Sequence, residues 1–215
     1  HEDRALSPSC WSELGAFESE AGGLRFASAD LGLFVFQYGL DLLDLRGWRA
    51  PGGPDLPAAA ALAVEANRRV CHAASARFRT YRRFWGLSAG DGPDDAADHA
   101  YRDYAPPGPI DGTAHLTAAA ASVAHAPGAV LENLYEAERD AALAVHGRYG
   151  FSNVNLDREW VGRDMVGIDA GALMLALDNF LADDRVRAVF HDVPCVAAGC
   201  ERLGFTRAVP VRLAS

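Results

Sequence analysis

One pattern recurs along this chain and limits what it can fold into: an alanine-rich apolar stretch with helical spacing, followed by a long loop crowded with Gly, Pro, Asp and aromatic residues. Residues 58–78 carry Leu62, Val64, Val70 and Cys71 among alanines, and the spacing predicts a long helix. A second helix is expected from Thr113 to residue 124, capped by Thr113 or Thr117. A third is expected over 129–146, with Leu131, Leu134, Tyr135, Ala142 and Val145 on its apolar side. Near Ile168 a fourth begins, where Leu173, Leu177 and Leu181 recur at spacing four, and shorter pieces follow around Val186 and Val196. No βαβ unit is visible, so the reading is an all-α fold.

The segments between these helices set further expectations. Residues 1–30 are polar and weakly patterned, with isolated Trp11, Leu14, Phe17, Leu24 and Phe26, and read as an irregular N-terminal segment ahead of a domain over 31–215. Residues 31–45 are apolar almost throughout but carry Gln37, Tyr38, Asp41 and Asp44, which must be satisfied internally or turned into a cleft. Asp44 and Arg46, two residues apart, read either as a structural salt bridge or as cleft-lining groups. Residues 47–57 form a loop that ends in a helix start, with Asp55 as N-cap and Pro57 in the first turn. In the helix that follows, Glu65, Asn67, Arg68, Arg69 and His72 read as a solvated face.

Composition excludes several partners. With 215 residues and half of them apolar, the chain can bury a substantial core. Its net charge of −9, from 29 acidic against 20 basic residues, opposes nucleic acid and anionic membrane surfaces. Every basic residue is Arg, which with the alanine content suggests a GC-rich bacterial genome and carries no mechanism. No apolar run reaches the ~18 to 20 residues of a membrane span, and the start, HEDRALSPS, lacks a signal-peptide core. Beginning at His1 rather than Met, the chain is expected to be a processed or excised piece. Cys10, Cys71, Cys195 and Cys200 fit no zinc-ligand spacing, and their even count is compatible with disulfides or with buried thiols.

The two loops are where chemistry is expected. Residues 85–93, WGLSAGDGP, combine an indole, three glycines and Asp91. An indole face stacks on the C–H face of a pyranose and glycines let backbone approach a ligand, although D-G-P is equally ordinary turn chemistry. The loop continues to residue 111 with an aromatic every few positions, and long loops of this kind in compact domains are usually functional. Asp91, Asp94, Asp95, Asp98, Asp103 and Asp111 do not have the spacing of an EF-hand, so neither a metal nor another cofactor is expected. A second aromatic- and Gly-rich loop spans 147–164.

Five ordered elements carry a resemblance: LFVFQYGLDLLDLRG, WGLSAGDGP, DGTAHLTAA, GRYGF and VGIDAGALMLALDNF. Together they resemble the C-terminal module of the glycoamylase-like (putative glucoamylase) family, whose characterised relatives include endo-β-1,2-glucanases, over about residues 31–205. The resemblance implies an (α/α)6 toroid, two rings of helices around a cleft. About half the helices of such a toroid are readable here, so this chain would be its C-terminal half, completed by an upstream segment or a partner subunit. It also implies an oligo- or polysaccharide ligand and leans towards a periplasmic or extracellular setting.

The carried-over residues are the carboxylates Asp169, Asp91 and Asp111 as catalytic candidates. Trp85, Trp160, Tyr38 and Tyr149 are the implied sugar platforms, with Gln37, Asp44 and Arg46 as further substrate contacts. Glycoside hydrolysis needs an acid of raised pKa and a second carboxylate that activates water or attacks the sugar. Asp169, at an expected helix N-terminus, would be kept ionised by the dipole and the free N–H groups, which suits a base or hydroxyl acceptor.

The departures from the family pattern also matter. Phe36, Gly39 and Leu40 stand where relatives have polar residues, Ala170 and Ala172 follow Asp169 in place of Gln and Pro, and residues 25–27 hold no Glu. Two readings follow: a divergent glycoside hydrolase, or a catalytically impaired toroid that binds carbohydrate or protein.

Overall fold

The computed structural model describes residues 7, 9–10, 17–28, 30–52, 54–97, 99–106 and 108–207. Expectations that involve His1, Trp11, Leu14, Asp98 and the end of the C-terminal tail lie outside them. Among the described residues there are seven helices: α1 Leu33–Leu40, α2 Leu56–Ala74, α3 Leu116–Ala120, α4 Pro127–Arg139, α5 Gly167–Leu181, α6 Arg185–His191 and α7 Pro194–Arg202. The chain is mostly helical, as expected, with short ribbons between the helices. Five antiparallel two-stranded ribbons interrupt the helices: β1 Ser19–Ala21 with β2 Leu24–Phe26, β3 Trp48–Arg49 with β10 Thr206–Arg207, and β4 Ala89–Pro93 with β5 His99–Asp103. The other two pair β6 His146–Gly147 with β7 Gly150–Phe151, and β8 Val154–Asn155 with β9 Trp160–Val161.

Local chemistry explains the ends of these elements. Asp55 caps α2, its carboxylate accepting the Ala58 N–H at 3.1 Å, with Pro57 in the first turn as expected. The N-terminal segment is not irregular throughout: Gly22 and Gly23, both at positive φ, make the two-residue turn that lets β1 and β2 pair and lays Phe26 into the core. α4 ends at Arg139 rather than 146, giving way to a 3-10 turn and to Ala144 in the left-handed region. Neither threonine caps α3, whose N-cap is His115; Thr117 lies inside that helix and its hydroxyl donates to the Phe151 carbonyl.

The core gathers between α1, α2, α3 and α5, and two polar side chains set its packing. Asn67 is fully buried, its amide donating to the carbonyls of Leu31 and Leu87 while its oxygen accepts the Leu87 N–H. That removes it from the solvated face expected for α2, on which Glu65 does pair with Arg68 and Arg69. Asn133 of α4 bonds the backbone of Trp85 on both sides. This turns Ala129, Val130, Asn133 and Ala137 inward and leaves Leu131 and Tyr135 exposed, against the expected apolar side, whereas Leu134 packs against the core and Val145 is buried, as expected. Cys10, Cys71, Cys195 and Cys200 are all free thiols. No described helix is long and apolar enough to cross a membrane.

Candidate functional site

The hairpin β4–β5 sets Asp91 across from Tyr101 and Pro93 across from His99. Its two glycines press into the core, since a Cβ on Gly92 would lie 2.0 Å from Tyr104 Oη and one on Gly90 2.7 Å from His115 Cδ2. Strand alternation therefore turns the Asp91 side chain to the opposite face, away from the core. The loop over residues 148–164 meets this hairpin at the same end of the molecule. Asn153 Nδ2 donates to the Asp91 carbonyl at 2.9 Å, Asp164 Oδ2 lies 3.2 Å from His99 Nε2, and Arg158 pairs with Asp95.

The N-terminus of α5 completes the arrangement. Asp169 lies in its first turn, 6% exposed, and accepts a hydrogen bond from Tyr38 Oη at 3.3 Å. Tyr38 is held flat against Phe34, one turn earlier on α1, with ring centroids 5.3 Å apart. Burial pushes the Asp169 carboxyl up to about 6; the Tyr38 hydrogen bond opposes this and the nearby Asp91 charge adds to it. The helix N-terminus was expected to keep Asp169 ionised, but desolvation outweighs it. Tyr101, 57% exposed, is also pushed up, by burial first and then by Asp169 and Asp91 together. Asp169, Asp91, Tyr38 and Tyr101 thus share one local field.

A recess of about 330 Å³ opens beside them, lined by His99, Glu159, Trp160, Val161, Arg163 and Asp164. Trp160 offers part of its indole to that space. Tyr149 is 66% exposed under the Arg148 guanidinium, on a turn whose Gly150 lies against Leu173 of α5. Donor atoms of Asp91, His99 and Asp164 fall within 4.8 Å of one another, the described grouping with metal-ligand chemistry. Tyr101, His99 and Asp164 were not singled out from the sequence. The alternation in HAYRD after a glycine-rich strand was the available signal, and it depends on a pairing that local spacing does not reveal.

Four expected site residues have structural roles elsewhere, and Asp111 makes a fifth. Trp85 is only 9% exposed, with Nε1–H donating to the Ala129 carbonyl at 3.2 Å, so it packs the core instead of offering a stacking face. Gln37 is buried and donates to the Ala118 carbonyl and to Ser122 Oγ. Asp111 accepts the Thr113 N–H at 2.8 Å and shapes the turn before α3; its charge acts on Tyr81 and Tyr104. Asp44 and Arg46 pair at 2.7 Å, as the structural alternative anticipated, and Asp184 joins Arg46 at 2.6 Å. Those two residues border a separate cavity of about 480 Å³ together with Asn179 and Arg187. Asn179 lies ten residues beyond Asp169 on α5, about 15 Å along the axis.

Solved structures share this architecture. A putative glucoamylase from Bacteroides uniformis is 26% identical, with a TM-score of 0.81 over 94% of this chain and 50% of its own. An endo-β-1,2-glucanase from Chitinophaga pinensis, in complex with sophorotriose and glucose, is 21% identical at a TM-score of 0.80, over 94% of this chain and 50% of its own. A β-1,2-glucanase from Parabacteroides distasonis is 20% identical at 0.75, with 94% and 29% covered. The chain therefore spans about half the length of the first of these relatives. No curated protein matches the sequence. A family model described as "Putative glucoamylase" matches residues 2–194, nearly the whole sequence, and the chain belongs to that glycoamylase family.

Proposed function

We propose that the chain is a divergent glycoside hydrolase acting on a glucan or related oligosaccharide, with Asp169 and Asp91 as its carboxyl pair. One observation carries this reading: Asp169, from the start of α5, and Asp91, from the hairpin, act on the same group of side chains, and Asp169 is raised to about 6. A carboxyl group with that pKa keeps its proton up to about pH 6, far above an ordinary aspartate, and can donate it to a leaving glycosidic oxygen, with the more accessible Asp91 as the second carboxyl group beside it. Tyr38 positions Asp169 through its hydroxyl. Trp160, Tyr149 and Tyr101 replace Trp85 as stacking faces, since each has ring surface open to solvent. The fold would be one half of an (α/α)6 toroid, closed by an upstream segment or a partner subunit, a view supported by the half-length match to its relatives.

A second reading, a carbohydrate-binding module without turnover, has its own support. Phe36 and Leu40, at positions polar in the family pattern, are buried in the core, and Phe36 packs edge-on against Phe26. Product analysis on a panel of soluble β- and α-glucans separates the two. Under the hydrolase reading Asp169→Asn lowers turnover by about 10²- to 10⁴-fold with the fold intact, and wild-type activity declines as pH rises past the Asp169 pKa of about 6. Under the binding reading the wild type shows glycan affinity by calorimetry without hydrolysis, and Trp160→Ala weakens it. A wild-type protein that neither hydrolyses nor binds any glycan rejects both.

A further inference from the structure

We propose that Asp91, His99 and Asp164 form a divalent-cation site of the zinc or manganese class, which ties the β4–β5 hairpin to the segment after β9. The three donors come from three separate stretches of chain, yet their ligand atoms lie within 4.8 Å of one another. Metal–ligand bonds of about 2.0 to 2.2 Å hold neighbouring donor atoms roughly 3 to 4 Å apart. The His99 Nε2 to Asp164 Oδ2 distance of 3.2 Å already has that spacing. Asp91 reaches it with a side-chain adjustment of about 1 Å, well within rotamer freedom for a half-exposed carboxylate.

The donor set selects the ion. One imidazole with two carboxylates suits a first-row divalent cation, whereas calcium and magnesium prefer oxygen-only cages. Charge points the same way: Glu159 and Asp164 line the recess together with Arg163, and Asp91 adds to the negative charge felt by Asp169. A divalent ion would relieve that repulsion. The adjoining recess of about 330 Å³ leaves room for the waters that fill the remaining coordination positions. Because Asp91 also belongs to the hydrolase reading, an occupied site would withdraw it from the carboxyl pair.

The test is calorimetric titration of chelator-treated, untagged protein with Zn²⁺ and Mn²⁺, without glycan, together with thermal unfolding. The expected result is one equivalent of Zn²⁺ or Mn²⁺ bound and a raised Tm. Both effects should be lost in His99→Ala and in Asp164→Ala and kept in Asp95→Ala, whose carboxylate pairs with Arg158 outside the cluster. Asp164 is exposed and His99 partly so, and should either alanine variant lower the metal-free Tm or unfold, Asp164→Asn repeats the test with the shape conserved. No binding by the wild type, binding unaltered in both variants, or Ca²⁺ binding that survives His99→Ala would each overturn the proposal. Hydrolysis is not read in this experiment, so failure of the cation site would leave the hydrolase reading standing.

Discussion

Single residues at this site are constrained by space more than by charge. Gly86 has φ +133°, a region open essentially to glycine alone, and a Cβ there would come 2.6 Å from the His115 carbonyl oxygen. Gly86→Ala should lower unfolding free energy by about 2 kcal/mol or more, measured by urea denaturation. Trp85→Ala, once expected to act on sugar affinity, should instead cost about 3 to 5 kcal/mol of stability, because it empties a core position. His115 is a titration case: it is fully buried, neither ring nitrogen has a hydrogen-bond partner, and desolvation lowers its pKa to about 4. Its imidazole should stay neutral in the folded protein as pH falls from 6.5 towards 4, observable by NMR titration. In the unfolded chain it protonates over that window, so this residue makes the protein less stable as pH drops, by on the order of 3 kcal/mol at most.

Junctions between elements rest on a few buried polar side chains. Asn67 of α2 satisfies two carbonyls and one N–H of segments that have no regular partner. Asn67→Ala strands the Leu31 carbonyl and the Leu87 N–H, leaves the Leu87 carbonyl with only the Leu33 N–H, and should cost about 2 kcal/mol or more by the same denaturation measurement. A second junction ties α1 to α5 and α6. Asn179 donates to the Asp41 carbonyl at 2.8 Å, while Arg187 donates Nε–H to the Leu40 carbonyl at 2.5 Å and lies 3.5 Å from Asp41 Oδ1. Burial raises Asp41 to about 7, only partly offset by Arg187, and its Oδ2 has no partner. A carboxyl whose folded pKa lies above its unfolded value loses stability as pH rises between the two. The stability of wild type relative to Asp41→Asn should therefore fall from about pH 4 to about pH 7 and then level off; a flat difference across that range would contradict the assignment.

At the scale of the whole molecule, apolar surface is left uncovered. Leu131 and Tyr135 on α4, Met174 and Leu181 on α5, and Val189 on α6 are all more than half exposed, with Leu181 at 77%. Soluble proteins rarely leave contiguous apolar area beyond a few hundred Å² open to water. The chain also spans about half the length of its relatives. Sedimentation velocity of the 215-residue chain should accordingly show association beyond its 22.9 kDa mass; a stable, compact monomer would argue against a missing partner surface.

Much of the helical skeleton was legible because helix signals are local: Asp55 and Pro57 start α2, and the spacing of Leu173 and Leu177 marks α5. Tyr38 and Asp169, more than a hundred residues apart, were both candidates from ordered motifs, and the structure brings them within hydrogen-bond distance. What local pattern could not show is which face of a helix turns inward. Leu131 and Tyr135 stay in solvent because Asn133 must reach the backbone of Trp85, a contact made across 48 residues. Nor could spacing show that Trp85 is core while Tyr101 is surface, since burial depends on what packs above a residue. The ionisation of Asp169 was misjudged for the same reason: a helix N-terminus is readable in sequence, but the burial that raises its pKa, against the Tyr38 hydrogen bond, is set by tertiary packing. Sequence alone showed where most of the helices and loops lie and offered Asp169, Asp91 and Asp111 as carboxylate candidates; tertiary packing decided which of these groups lie near one another and how burial shifts Asp169, because both depend on distances between residues far apart in the chain.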